Sequence, residues 1–372
     1  VVFVGEVVLV LIVLAAVRLI NDVPADSRPE LDGVGAALTA IGLGMIVFGF
    51  LQANVWGWLQ PKDSPIEPFG FSLTPFLVVA GLAVLVAYRW WAQRRERRGE
   101  QALFRLELLS IPRLRSALMS FGAQNLILMG VFFTMPLYLQ LVVGLDAFET
   151  GVRMLPISVA MFITSSGGGY FATRWSVRSV VRVGLVLILV AILVLIGTIE
   201  PELDGARFAL AMAVLGVGMG LLASQLGNAV QSSVDDADRS EAGGLQWTSA
   251  QLGSALGVAV IGSVVLTGLT NGFVSSIEDD ERLDEALRNE LVASVESGID
   301  FLAVDDVEQR LGAAGLADDD VDVIVEDYGD SQLTALRVGL LGAAGLALLG
   351  LLVTTNLPSS VPGRDEQSVA ER

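Results

Sequence analysis

Five uncharged amide side chains stand within apolar stretches of this sequence and are the clearest candidates for chemistry. They are Gln124, Asn125, Gln225, Asn228 and Gln251. An amide donates and accepts hydrogen bonds but does not titrate. Because an unpaired amide in hydrocarbon is costly, each one must meet another helix or a water-filled cavity. The pattern therefore indicates either hydrogen bonds that hold helices together or a polar crevice that contacts a substrate.

The residue types that most enzymes use are missing or scattered. The sequence has no cysteine and no histidine, which excludes thiol chemistry and imidazole proton shuttles. We find no nucleophile paired with a base, no phosphate-binding glycine loop before a lysine and no metal-ligand cluster. The acidic runs around Asp279 and at Asp318–Asp320 lack the glycine and terminal glutamate of a calcium loop, which favours a solvated acidic surface. The sequence predicts neither an enzyme nor a nucleotide-driven pump, and no cofactor or metal site.

One carboxylate, Glu6, lies inside an apolar stretch. An acid within a membrane is a functional candidate, so Glu6 is a candidate for proton coupling. The alternative is an interfacial or paired position near a helix end, where the side chain reaches toward water.

Composition places these residues in an integral membrane protein. Of the 372 residues, 53% are hydrophobic, more than a soluble domain usually carries. Nine stretches approach the ~20 apolar residues that cross a bilayer. They cover residues 1–20 and approximately 33–52, 72–91, 116–140, 150–172, 183–199, 207–230, 243–269 and 333–355. The predicted fold is an all-α bundle in a lipid bilayer, with no role in binding nucleic acid.

Charge orients the predicted helices. The arginine cluster RRERR, Arg94–Arg98, is cytoplasmic by the positive-inside rule, so alternation places residues 271–332 outside the cell and residues 357–372 inside. The outer segment is acidic, and an amphipathic helix is predicted where apolar residues recur at helical spacing. These residues are Leu283, Leu287, Leu291 and Val295.

The charged residues also suggest a habitat. Lys62 is the only lysine, and the chain has 41 acidic against 23 basic residues. A surface rich in carboxylates and poor in lysine suits high salt, which screens charge repulsion. We therefore expect a halophilic source.

The eighth predicted span has small residues on nearly every face. It reads GGLQWTSAQLGSALGVAVIGSVVLTGL, and Gly253 and Gly257 form a small-xxx-small pair in it. Such pairs let membrane helices approach closely, so this helix should pack on several sides. Among the last six spans, the third and sixth hold almost no polar side chains, whereas the other four taken together carry several amides and hydroxyls. This alternation predicts two repeats of three helices around a central site, with each third helix facing lipid.

Several segments together resemble a known transporter family. They are FRLELLSIPRLRSA, FFTMPLYLQLVVGLDAFETGVRMLP, TRWSVRSV and SEAGGLQWTSAQLGSALGVAVIGSV. The sequence resembles the major facilitator superfamily, in particular its fourteen-helix drug:proton antiporters of the EmrB/QacA type. The resemblance implies that the nine spans correspond to helices six to fourteen, the C-terminal two-thirds of such a protein. It also implies a cytoplasmic gate loop that includes Gly169, Arg174 and Arg178, although Thr173 and Ser176 replace an acid and a glycine of the family signature.

The same resemblance implies a domain order. Residues 1–20 would end the N-terminal bundle, and residues 21–100 would hold a linker and two extra central helices. Residues 101–270 and 333–356 would form the C-terminal six-helix bundle. Residues 271–332 would be the outer loop, and 357–372 the cytoplasmic tail.

The function implied by the resemblance is secondary active transport. We expect efflux of small hydrophobic or cationic molecules by alternating access, with protons, or in a variant sodium ions, as the coupling ion. Two alternatives remain from the sequence. One is a transporter of the same fold for a defined metabolite or lipid, and the other is a truncated membrane protein that does not transport.

Overall fold

The computed structural model describes residues 2–17, 32–61, 64–100, 106–295, 299 and 301–359. Helices are the regular elements throughout this described part. They are α1 (Val2–Val17), α2 (Gly33–Trp56), α3 (Leu73–Arg97), α4 (Pro112–Leu137), α5 (Ala147–Ser166), α6 (Gly168–Arg174), α7 (Val177–Ile196), α8 (Gly205–Gln231), α9 (Arg239–Asp279), α10 (Glu285–Val295), α11 (Val304–Ala313) and α12 (Asp318–Val353). A π-helical turn, Tyr138–Val142, continues α4.

Eight of the described helices are long and apolar enough to cross a membrane, namely α2, α3, α4, α5, α7, α8, α9 and α12. Helix α1 has 16 residues, and the first predicted span continues beyond the described residues at both ends. The prediction of an all-α membrane bundle is confirmed.

Two helices are much longer than the predicted spans. α9 has 41 residues and α12 has 36, whereas the spans were predicted to end at Leu269 and to begin at Leu333. Polar residues at a membrane border do not stop a helix, because its backbone hydrogen bonds are internal. Much of the segment 271–332 is therefore helical, and α10 confirms the helix predicted around Leu287 and Leu291.

The fifth predicted span, 150–172, is interrupted at Gly167, which separates α5 from α6. A Cβ added to Gly168 would lie 2.9 Å from the Cβ of Ser224, so this glycine lets α6 touch α8. A Cβ on Gly169 would meet nothing within 4 Å. The glycine triplet thus combines a break in the helix with a close contact.

Helix α9 crosses α4 in backbone contact. A Cβ on Gly253 would lie 2.2 Å from the carbonyl oxygen of Gly122, and a Cβ on Gly257 would lie 2.3 Å from that of Leu126. Any other residue would push the two helices apart. Gly253 and Gly257, which are four residues apart, therefore form the surface of α9 that contacts α4.

Helix α8 crosses α5 in the same way. A Cβ on Gly216 would lie 2.3 Å from the carbonyl oxygen of Ile157, and one on Gly220 would lie 2.7 Å from that of Met161. Helices α7 and α12 complete the bundle by packing on these pairs and on each other. Two glycine-based crossings thus form its centre.

Helices α7 and α12 each expose a stripe of apolar residues. On α7 these are Val183, Val186, Val190 and Val194, and on α12 they are Val338, Leu341, Leu348 and Leu352. In each stripe the residues follow helical spacing and so cover one face. Apolar surface of this extent suits contact with lipid.

Helices α2 and α3 pack on each other, and α2 also packs on α9. The carbonyl oxygen of Gly42 on α2 would lie 2.6 Å from a Cβ on Gly81 of α3. Beyond the end of α2, the indole nitrogen of Trp58 donates to the hydroxyl of Ser263 on α9 at 3.1 Å. The segment that contains α2 and α3 is therefore joined directly to α9.

Candidate functional site

Gln124 and Gln225 lie inside the bundle. Gln124 is at the middle of α4, is 4% exposed, and donates its amide proton to the carbonyl oxygen of Met219 on α8 at 3.4 Å. Gln225 on α8 is fully buried and donates to the carbonyl oxygen of Gly168 at 3.1 Å. The two amides therefore connect α4 to α8 and α8 to α6.

Each of these glutamines also has an acceptor that is not used. The side-chain oxygens of Gln124 and Gln225 are buried and have no hydrogen-bond partner within the described residues. The hydroxyl of Ser120, one turn before Gln124, is also buried and also has no hydrogen-bond partner within the described residues. An unpaired buried polar group costs roughly 1–3 kcal/mol. This part of the bundle can therefore accept hydrogen bonds from water or from a polar group of a ligand.

Asn228 and Gln251 are exposed on the surface of the chain. Asn228 follows Gln225 by one turn on α8. Gln251 lies on α9 one turn after Trp247, whose side chain is 68% exposed. Both amides thus leave the interior, while glycines on other faces of α9 contact α4.

Asn125 is half-buried, and its amide donates to the carbonyl oxygen of Phe121 in its own helix at 2.9 Å. The five predicted amides therefore do not form one cluster: two lie in the interior, one binds its own helix, and two lie on the surface. Sequence patterns place amides along a helix but do not reveal which face a neighbour covers, and this explains the difference.

The predicted gate residues separate into two contacts. The Arg174 guanidinium lies 4.2 Å from the ring centroid of Tyr170 and also donates to its hydroxyl. Arg178 donates from Nε to the carbonyl oxygen of Leu357 at 2.9 Å, just after α12. Arg182 adds a bond to the hydroxyl of Thr354 at 3.0 Å. Arg178 and Arg182 thus hold the end of the last helix, where cations interact favourably with carbonyl oxygens.

At the opposite end of the bundle, two residues outside the predicted set hold the end of α7. The Tyr138 hydroxyl is buried and shares its one proton between the carbonyl oxygens of Thr198 and Glu200, which lie 2.9 and 2.8 Å away. Arg337 on α12 donates to the carbonyl oxygen of Ile199 at 2.6 Å. In the sequence, the feature that marks Arg337 as a candidate is that it is a single charge near the start of an otherwise apolar span.

Glu6 belongs to α1, but its side chain lies outside the described residues. Its proposed part in proton coupling stays a prediction. Within the described residues, no group of three or more acidic side chains is arranged to hold a metal ion.

An ionic clamp joins the C-terminal end of α9 to the N-terminal part of α12. Arg282 donates to Asp280 at 2.6 Å and to Glu326 at 2.7 Å. Its guanidinium holds the pKa of Asp280 below the usual value through hydrogen bonds. A cavity of about 340 Å³ is mainly apolar and includes Phe273, Leu291 and Tyr328 in its wall. None of the five predicted amides lines it.

The family comparison covers most of the chain. The profile of the Major Facilitator Superfamily matches residues 2–258. This region contains α1 to α8 and the first half of α9.

Three curated relatives come from Streptomyces species. The "Probable actinorhodin transporter" of Streptomyces coelicolor is 29% identical over 277 residues, which are 73% of this chain and 45% of the relative. The "Tetracenomycin C resistance and export protein" of Streptomyces glaucescens is 26% identical over 70% of this chain and 45% of the relative. The "Tetracycline resistance determinant" of Streptomyces rimosus is 25% identical over 87% of this chain and 90% of the relative. The matched part of this chain thus spans about half the length of the first two.

Proposed function

Because this chain belongs to the Major Facilitator Superfamily, we propose that it forms the C-terminal bundle and the central helix pair of a small-molecule exporter. Relatives described as antibiotic export or resistance proteins support efflux as the direction of transport. The helix pair α2 and α3, placed between α1 and the bundle, supports the fourteen-helix drug antiporter group. The proposed energy source is a proton gradient, with sodium as the alternative ion.

The observation that carries this proposal is the exposed amide of Gln251. It lies on a membrane-spanning helix of the bundle, yet the described chain leaves it uncovered. An amide facing acyl chains would be costly, so we assign this face of α9 to a wet cavity between two halves of the transporter. Asn228 on α8 is exposed as well and would line the inner part of the same cavity.

The remaining surfaces suit this arrangement. The apolar stripes of α7 and α12 would face lipid, opposite the cavity. Alternating access would tilt the bundle against its counterpart, with α4–α9 and α5–α8 moving as glycine-joined pairs. The arginine cluster at 94–98 would lie in the cytoplasm and the acidic segment 271–332 outside the cell. The scarcity of lysine supports a saline environment.

Transport in proteoliposomes tests the proposal. The full-length product of the gene is reconstituted, a pH gradient is imposed, and uptake of ethidium, a hydrophobic cation, is followed by fluorescence. Uptake should require the gradient, and Gln251→Leu should slow it about fivefold, the effect of one lost hydrogen bond of ~1 kcal/mol. Gln52→Leu, which removes an amide from α2, is the matched control and should transport normally.

Two results would contradict the proposal. If neither a proton nor a sodium gradient drives uptake of ethidium or of other hydrophobic compounds, the chain does not belong to a drug exporter. If Gln251→Leu and Gln52→Leu transport equally, Gln251 does not line the cavity.

A further inference from the structure

A second cavity lies between α2 and α3, away from the amides of the bundle. Its volume is about 430 Å³, and it is at the end of α3 that carries the arginine cluster. The wall consists of Leu38, Ala87, Trp90, Trp91, Gln93, Arg94 and Arg97. Two cations, two indoles and two aliphatic side chains therefore meet in one place, and no acidic residue is among them.

The two arginines of this cavity are available for a ligand. Arg94 and Arg97 are three residues apart, share one face of α3 and are exposed. Neither forms a salt bridge within the described part of the chain. Their neighbour Arg95 differs, because it lies 4.0 Å from Asp32 and 3.3 Å from Glu100. Within the cluster, Arg95 therefore pairs with carboxylates of the protein, whereas Arg94 and Arg97 line the cavity without such a partner among the described residues.

The rest of the wall is apolar and held in position. Trp91 donates its indole proton to Asp32 at 3.0 Å, which fixes its ring between the two helices. Trp90 is 69% exposed, as expected for an indole at the border between lipid and water. Leu38 and Ala87 extend the cavity toward the apolar part of α2 and α3. A free inorganic anion would leave this apolar portion unused.

We propose that the cavity binds an anionic phospholipid of the cytoplasmic leaflet. The phosphate lies between Arg94 and Arg97, which form charge-assisted hydrogen bonds with it. One acyl chain lies along Leu38, Ala87 and Trp90. Basic pockets between membrane helices suit such head groups, and the cytoplasmic leaflet is where anionic lipids attract basic segments. The site is independent of the transported substrate, so it can fail without affecting the proposed function.

Native mass spectrometry of the full-length protein in detergent tests the proposal. Phosphatidylglycerol is added to the wild type, to the double variant R94Q/R97Q and to the charge-matched control R89Q/R98Q. The control arginines lie on α3 and at its C-cap, outside the cavity wall. The wild type should prefer phosphatidylglycerol over phosphatidylcholine. R94Q/R97Q should lose this preference by roughly tenfold or more, since each basic residue near an anionic lipid contributes appreciably. R89Q/R98Q should keep it.

A second measurement locates the acyl chain. Phosphatidylglycerol with a brominated chain should quench tryptophan fluorescence in the wild type more than in Trp90→Phe, and inorganic phosphate should not reverse the quenching. Binding of phosphatidylcholine should be equal in all variants, which shows that they are folded. The proposal is wrong if R94Q/R97Q retains the preference, if both double variants lose it equally, or if inorganic phosphate displaces the lipid.

Discussion

The backbone contact between α4 and α9 leads to a sharp prediction for Gly253→Ala. The added methyl group would start 2.2 Å from the carbonyl oxygen of Gly122, whereas ordinary contacts begin at 3.4 Å, so the helices must separate by about 1.2 Å. Overpacking of this kind typically costs about 1–3 kcal/mol. Alanine also favours a helix by ~1 kcal/mol over glycine, which offsets part of the cost.

Gly244→Ala isolates the steric effect. Gly244 lies on the same helix, but a Cβ there would meet nothing within 4 Å. This variant should gain the helix preference without the clash, so its difference from Gly253→Ala reports the contact itself. Thermal unfolding of the full-length protein in detergent is followed by tryptophan fluorescence. The midpoint of Gly253→Ala should be several degrees lower than that of Gly244→Ala, at about 2–4 °C per kcal/mol of difference in stability. Equal midpoints would refute a backbone contact between α4 and α9.

Three further changes have separate expected outcomes. Tyr138→Phe removes a buried hydroxyl, and the carbonyl oxygen of Glu200 loses its hydrogen bond to that hydroxyl. The free energy of unfolding should therefore fall by about 1–3 kcal/mol in a denaturant titration, and an unchanged value would mean that water replaces the hydroxyl. Arg282→Gln opens the clamp at Asp280. Because the pKa of Asp280 is lowered in the folded state, the clamp stabilises the fold above the unfolded pKa of about 3.9, and this stabilisation is lost as pH falls through the folded pKa. Wild type and variant should therefore differ in thermal midpoint at pH 7 and have the same midpoint in strong acid. A difference in midpoint that persists in strong acid would contradict this origin. Arg178→Gln releases the carbonyl oxygen of Leu357, so hydrogen exchange should increase after α12 and remain unchanged in α4; uniform exchange throughout the chain would contradict a local role.

The amides show which features of the structure the sequence predicts and which it does not. Apolar length predicted the membrane helices well, because crossing a bilayer imposes a minimum run of residues. The same reasoning treated Gln225 and Gln251 alike, yet one is fully buried and the other exposed. Their difference depends on which helix covers each face, and this is a property of tertiary packing.

The ends of the helices were also predicted inaccurately from the sequence. The predicted ninth span began at Leu333, but α12 starts at Asp318 because carboxylates favour the first turn of a helix. Gly167 interrupts a span that was predicted to be continuous, and the sign of this break in the sequence is the run of three adjacent glycines, Gly167–Gly169, each of which weakens a helix. The role of Arg337 could not be predicted for a related reason. Its partner is a carbonyl oxygen beyond α7, and a sequence does not show which backbone carbonyl groups accept hydrogen bonds from side chains.

The length of α9 has a mechanical consequence. At 1.5 Å per residue its 41 residues extend about 60 Å, twice the ~30 Å thickness of the hydrocarbon layer. Such a rod acts as a lever, and a tilt of about 10° within the bilayer would sweep a point 30 Å along it through about 5 Å. An antibody fragment bound to the part of α9 and α12 that extends past the hydrocarbon layer would therefore restrain such a tilt without entering the membrane.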